Sequence, residues 1–319
     1  MDPENIEMTR LLFINGQEGV LEEIDHIVSR ISDGIDRDFL DRVYSDTKRL
    51  FHGQYPGYRA SNTKYHSLEH TISVTLAAAR LVHGAYLEGH TFSHRNIALT
   101  LGAALFHDTG LIQHEGDVEG SGAKYTIGHE ERSIAFAKQY LSNRAFSAEE
   151  QDQCAALIKC TKLDLSPRKI FFATEELKTL GMIVGSADLL AQMSDRYYLE
   201  KLLLLYKEFE EARLEGFDSE LDLLKKTADF YENRARKRMK EELGGVSVYM
   251  RTHFKDRWQM DRDLYDESIL KNIEYLKSLV ALCEESYTCY LENLRRGGIA
   301  EEALASIEKK VKETGKGKA

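Results

Sequence analysis

The chain has 319 residues, 42% of them hydrophobic, with a formal net charge of −10 and a pI near 5.6. This is enough for one large domain or two small ones; the acidic balance excludes a general polyanion surface, so no polymeric nucleic acid is expected and a phosphate-bearing partner must be drawn in locally. No stretch approaches the roughly 18 apolar residues of a membrane span, and the first residues lack the basic and apolar regions of a signal peptide, so the expectation is a cytoplasmic protein with no membrane partner.

Three prolines, Pro3, Pro56 and Pro167, leave long uninterrupted stretches, and the fold class expected is all-α. Residues 5–52 alternate apolar and charged positions at helical spacing, predicting two or three short helices. Residues 52–64, with Gly53, Pro56 and Gly57, read as a loop. Helices follow at about 65–88, 94–107, 128–142, 147–160, 174–194 and 196–215, with Ser93, Ser147 and Thr174 as N-caps. Between His107 and His129 five glycines and little periodicity predict a loop. The stretches 218–242 and 261–294 each read as one charged amphipathic helix, and the tail 301–319 as frayed. The division expected is N-terminal helices over 1–60, a core over 61–215 and completing helices over 216–300.

Cys154, Cys160, Cys283 and Cys289 form no C-x-x-C pair and read as reduced thiols. The basic run Arg234–Lys240 (RARKRMK) reads as a solvated helix face that could hold a phosphate or an acidic partner. The stripe LEKLLLLYKEF has a helical period and reads as core. A homodimer stays open.

Against this background the ligand-type residues stand out. His66 and His70 lie in YHSLEHT, His107 and Asp108 end the apolar run LTLGAALFHD, and Asp188 follows the apolar LGMIVGSA. Delivering such groups into a core costs several kcal/mol unless they are paired or coordinated. One metal centre would satisfy them together. On one helix His66 and His70, at i and i+4, would share a face about 5–6 Å apart at Cβ.

The order of these motifs resembles the HD superfamily of metal-dependent phosphohydrolases, and within it the catalytic domain of class I cyclic nucleotide phosphodiesterases. Tyr65-His66-Ser67-Leu68-Glu69-His70 is similar to the Y-H-N-x-x-H motif, ALFHDTG to the A-x-x-H-D segment, Cys160–Asp164 to the A-T-D-M stretch, and Met182–Leu189 to the segment ending in A-D-L. The likeness covers about residues 60–215. It implies an HD-domain multi-helical bundle around a metal centre in which His70, His107, Asp108 and Asp188 bind a first divalent metal. Asp108 would bridge to a second, and His66 would protonate the leaving oxygen. Two imidazoles and two carboxylates suit Zn, Mn, Fe or Co at the first position, and a water-rich oxygen shell suits Mg or Mn at the second. His129, with Glu130, falls where many HD proteins place a histidine near the second metal.

Other candidates follow from position. His114 and Glu115, in the glycine-rich loop, could reach substrate, Glu69 could orient a ligand, and Lys124, Lys162 and Arg196 could meet phosphate. His83, His90, His94 and His253 have no partner pattern and read as surface or structural. The chain departs from the phosphodiesterase pattern at Leu111, where a histidine is usual, at Leu190-Ala191-Gln192, where an asparagine is expected, and in lacking a glutamine over 218–242 to read a purine. The expected activity is therefore hydrolysis of a small phosphorylated substrate such as a nucleotide, with cyclic nucleotide hydrolysis first. A nucleotidase or phosphomonoesterase, a di-iron oxygenase and a non-catalytic metal-containing sensor remain open.

Overall fold

Apolar residues at helical spacing produce α1 (Gly16–Ile31), which buries Ile24, Ile27, Val28 and Ile31, and α2 (Arg37–Phe51), which buries Phe39, Val43, Leu50 and Phe51. The computed structural model describes residues 11, 12, 14, 16–294 and 297–316, so the first part of the expected N-terminal helices and the leader region read from the sequence lie outside the described residues. All regular elements among the described residues are helical; the only backbone bridges there pair His52 with Ala60 and Tyr58 with His114. None of these helices is long and apolar enough to cross a membrane.

The centre of the structure is α3 (Leu68–Leu87), whose side chains are almost all buried. It packs against α1, α4 (His94–Phe106), α7 (Glu175–Ser194) and α10 (Tyr249–Trp258). Small residues permit this crowding. A Cβ on Gly84 would overlap the Tyr249 backbone, and one on Gly185 would overlap the Cys160 carbonyl. Ser93, Ser147 and Thr174 cap α4, α6 (Ala148–Lys159) and α7 as expected, Ser147 closing a capping box with Glu150. Between them α5 (His129–Ser142) packs on α6, and α8 (Tyr198–Glu211) follows α7. The core is continuous from Leu12 to Ala300, so all the segments expected from the sequence contribute to it.

The C-terminal third differs from the sequence reading. The stretch 218–242 is α9 (Glu220–Phe230) followed by two π turns, Tyr231–Ala235 and Arg238–Glu242. The stretch 261–294 is two helices, α11 (Leu264–Cys283) and α12 (Tyr287–Asn293), because Glu284 takes a positive φ of 48° and Ser286 caps the second. This turn brings Cys283 and Cys289 together as a disulfide, which corrects the expectation of four reduced thiols; Cys154 and Cys160 are free and buried. The tail expected to fray is helical as α13 (Ile299–Lys316).

Candidate metal centre

Three helices deliver the ligand-type residues. Ser67 is the N-cap of α3, its side chain accepting the His70 N–H, so His70 sits in the first turn and His66 lies just outside the helix. The expected helix over 65–88 therefore starts at Leu68, yet the two rings remain neighbours, 6.2 Å apart at their centroids. His107 is the C-cap of α4, Asp108 follows as the chain enters the 3-10 turn Thr109–Leu111, and Asp188 projects from the middle of α7.

Their ligand atoms converge. His70 Nε2 lies 3.5 Å from Asp108 Oδ2 and 3.2 Å from Asp188 Oδ1, while His107 Nε2 lies 3.1 Å from Asp108 Oδ2 and 3.8 Å from Asp188 Oδ1. His107 Nδ1 is 2.8 Å from the Ala104 carbonyl. Donating its proton there fixes the tautomer and turns Nε2 inward. His107 and Asp108 are buried, and neither His107 Nε2 nor Asp108 Oδ2 has a hydrogen-bond partner despite their closeness. Orphaned polar atoms in a core are costly. His70, His107 and Asp108 could hold a metal ion, their ligand atoms all lying within 4.8 Å of one another; Asp188 faces the same point. Without a cation the carboxylates must take their counter-charge from imidazolium. Burial works against protonated His107, but Asp108 and Asp188 outweigh it and lift its pKa to about 9. Burial opposes ionised Asp108 too, yet His107 and His129 hold it well below the usual carboxylate range.

Asp108 serves both sides of the site: its Oδ1 lies 3.4 Å from His129 Nε2. His129, the first residue of α5, has Nδ1 2.8 Å from the Thr126 carbonyl, so its Nε2 also points inward. Burial disfavours its charge, but Asp108 and Glu130 raise its pKa to about 9.

A family model described as Npun_R2479-like matches residues 118–255. The matched stretch contains His129, Glu130 and Asp188, whereas His66, His70, His107 and Asp108 precede it. No curated protein matches the chain.

His66 Nδ1 lies 2.6 Å from Glu208 Oε2, and the other oxygen of Glu208 accepts the Tyr65 N–H at 2.7 Å. Burial acts to lower the His66 pKa, but the hydrogen bond to Glu208 and the charges of Asp108 and Glu208 leave it raised. Sequence reasoning missed Glu208. It lies in the stripe LEKLLLLYKEFEE that reads as core, and its one signal is a carboxylate whose register faces inward; it is 5% exposed. Also missed was Ser133, which accepts the Gly110 N–H at 2.8 Å and donates to the His107 carbonyl at 2.5 Å, tying α5 to the chain around His107-Asp108.

The remaining candidates separate by position. Glu130 is buried, 3.6 Å from both His129 Nδ1 and Lys162 Nζ. Lys162 also pairs with Glu131, and Lys124 with Asp117, so both lysines are engaged within the protein. Arg196 is exposed over the Tyr197 ring. His114 and Glu115 are exposed, the His114 ring packing on Tyr58 at 4.6 Å outside the ligand cluster. Glu69 is exposed, which removes the basis for assigning it an orienting role. His83 and His253 are buried against each other, their Nδ1 atoms 3.0 Å apart, and His90 bonds Tyr249. His94 is exposed.

Proposed function

We propose that this chain is a metal-dependent phosphohydrolase that cleaves a small phosphoester, with a cyclic nucleotide phosphodiester as the first candidate substrate. The observation that carries the reading is the pair of buried, unpartnered ligand atoms, His107 Nε2 and Asp108 Oδ2, facing His70 and Asp188. Those four residues would hold the tighter ion, Zn, Mn, Fe or Co by donor type, and the opposite oxygen of Asp108 with His129 would border a second, Mg or Mn. When bound, such ions supply Lewis acidity and activate water toward phosphorus. His66 is the general acid. With Nδ1–H donated to Glu208, its Nε2 carries the proton given to the leaving oxygen, and the Glu208 carboxylate stabilises the imidazolium that donates it.

Elemental analysis of the purified protein, paired with a hydrolysis screen of cAMP, cGMP, bis(p-nitrophenyl) phosphate and nucleoside monophosphates with added Mn or Mg, tests this. Bound metal with metal-dependent hydrolysis supports it, and the substrate turned over separates diesterase from monoesterase. A second reading, a di-iron oxygenase, is favoured by His129, a third inward imidazole beside Asp108. An iron-rich protein that hydrolyses none of these phosphoesters would replace the first reading with the second.

A further inference from the structure

The basic run Arg234–Lys240 falls where the helix continuing from α9 widens. Two π turns, Tyr231–Ala235 and Arg238–Glu242, follow one another with two residues between them. Such turns are rare and frequent at functional sites. Their i→i+5 bonding stacks side chains at steps of four to five residues, so positions 233/234, 237/238 and 242 share one face. That face is concave. Asn233, Arg234, Lys237, Arg238 and Glu242, with Leu163 opposite, line a small pocket of about 100 Å³.

The cations of this pocket have distinct duties. Arg238 is buried and saturated, donating to the carbonyls of Cys160, Lys162 and Leu165 and pairing with Glu242 at 3.1 Å. It ties the π segment to the 160–165 loop and neutralises the only carboxylate in the lining. Arg234 and Lys237 are exposed and have no carboxylate partner among the described residues; Arg234 makes one long contact, 3.5 Å, to the Leu163 carbonyl. Of the neighbouring cations, Arg236 and Lys277 are matched by Glu232, Lys225 by Glu285 and Lys226 by Asp222, while Lys240 is exposed outside the pocket lining. On a chain of net charge −10, two unmatched cations converging in a concavity beside the Asn233 amide are a local anion site.

We propose that this pocket binds a small phosphate-type anion, distinct from any ligand of the metal centre. Arg234 supplies a planar fork for two phosphate oxygens and Lys237 a compact charge; the Asn233 amide already donates one N–H to Asp229 at 2.5 Å and has a second N–H to offer. A polymer is a poor fit, since only two unmatched cations face the concavity. The pocket and the metal centre meet at the 160–165 loop: its Lys162 carbonyl accepts from Arg238 on one side, and its Lys162 ammonium pairs with Glu130 and Glu131, next to His129, on the other.

The test titrates the full-length chain with pyrophosphate by calorimetry, in wild type and in Asp108→Asn, which disables the metal centre. One equivalent binding tighter than about 1 mM in both is expected, weakening at least about tenfold when Arg234→Ala and Lys237→Ala are combined, since two charge-assisted hydrogen bonds are lost. Both changed residues are exposed, and thermal melting of each variant verifies that it is folded. Arg234→Lys with Lys237→Arg should retain most of the affinity. Absence of binding in folded Asp108→Asn, or binding unchanged in the doubly substituted chain, overturns the proposal while leaving the metal centre untouched.

Discussion

At the scale of single residues, the contact between His66 and Glu208 has the sharpest consequences. The His66 pKa is raised above its ordinary 6.5 although burial acts against it, so Glu208 and Asp108 supply the difference. A general acid works protonated; its rate contribution holds below its pKa and is lost as pH rises through it. The stability gained from the pair follows the same sign: full below about 6.5 and lost as pH passes the raised folded value. Glu208→Gln should therefore move the basic limb of the kcat profile to lower pH while leaving bound metal unchanged, and a limb that stays in place would reject Glu208 as the partner that sets it. His66→Ala should keep the metal and slow turnover by roughly 10²- to 10⁴-fold; loss of metal would make His66 a ligand instead. The ligand-type residues were legible in the sequence because histidines and aspartates ending apolar runs are costly without a purpose. Glu208 was not, since a single carboxylate in a leucine-rich helix carries no spacing partner and its contact with His66 spans 142 residues.

At the scale of elements, close approach decides the site. Gly110 follows the His107-Asp108 pair by two residues, and a Cβ there would overlap the His129 carbonyl and crowd the Ser133 nitrogen at the start of α5. Gly110→Ala should cost about 1–3 kcal/mol as overpacking and should also weaken metal binding, because α5 must shift and carries His129 with it. Thermal melting with metal titration measures both, and an unchanged protein would show that α5 accommodates the methyl without moving the site. The hairpin of α11 and α12 shows where periodicity misleads. Residues 261–294 keep a helical pattern through the break, and a continuous helix would hold Cys283 and Cys289 apart. The stop is local: Glu284 at positive φ and the Ser286 cap fold the chain back so that the cysteines, six residues apart, can bond. Closing so short a loop is worth about 2 kcal/mol in chain-entropy terms. Dithiothreitol should lower the melting temperature modestly, and Cys289→Ser should reproduce that loss and abolish the further effect of reductant. A Cys289→Ser protein still destabilised by dithiothreitol would place the sensitivity elsewhere.

For the whole molecule, the candidate metal centre joins helices that are distant in sequence. His70 begins α3, His107 and Asp108 end α4, and Asp188 lies within α7, and these three helices pack on one another at the core. That all-α architecture was legible from scarce prolines, N-caps and 3.6-residue periodicity; the convergence of the three helices was not, because it depends on side-chain packing between segments that share no local pattern. An ion held there binds the folded chain and not the unfolded one, so it stabilises by RT ln(1 + [M]/Kd), about 2.7 kcal/mol at a hundredfold excess over Kd. Removing it leaves buried Asp108 and its half-buried neighbour Asp188 facing imidazolium alone, with His107 protonated up to about pH 9. A chelator should therefore lower the melting temperature by several degrees, and re-addition of Mn or Zn should restore it. Asp108→Ala removes the carboxylate that faces both His107 and His129, so it should abolish the chelator effect together with turnover. The Arg234→Ala, Lys237→Ala protein should keep the chelator effect in full, since its changes lie on the far side of the 160–165 loop. If chelator shifts wild type and Asp108→Ala equally, the ion it removes sits elsewhere and the cluster at the end of α4 is a buried ion-pair network.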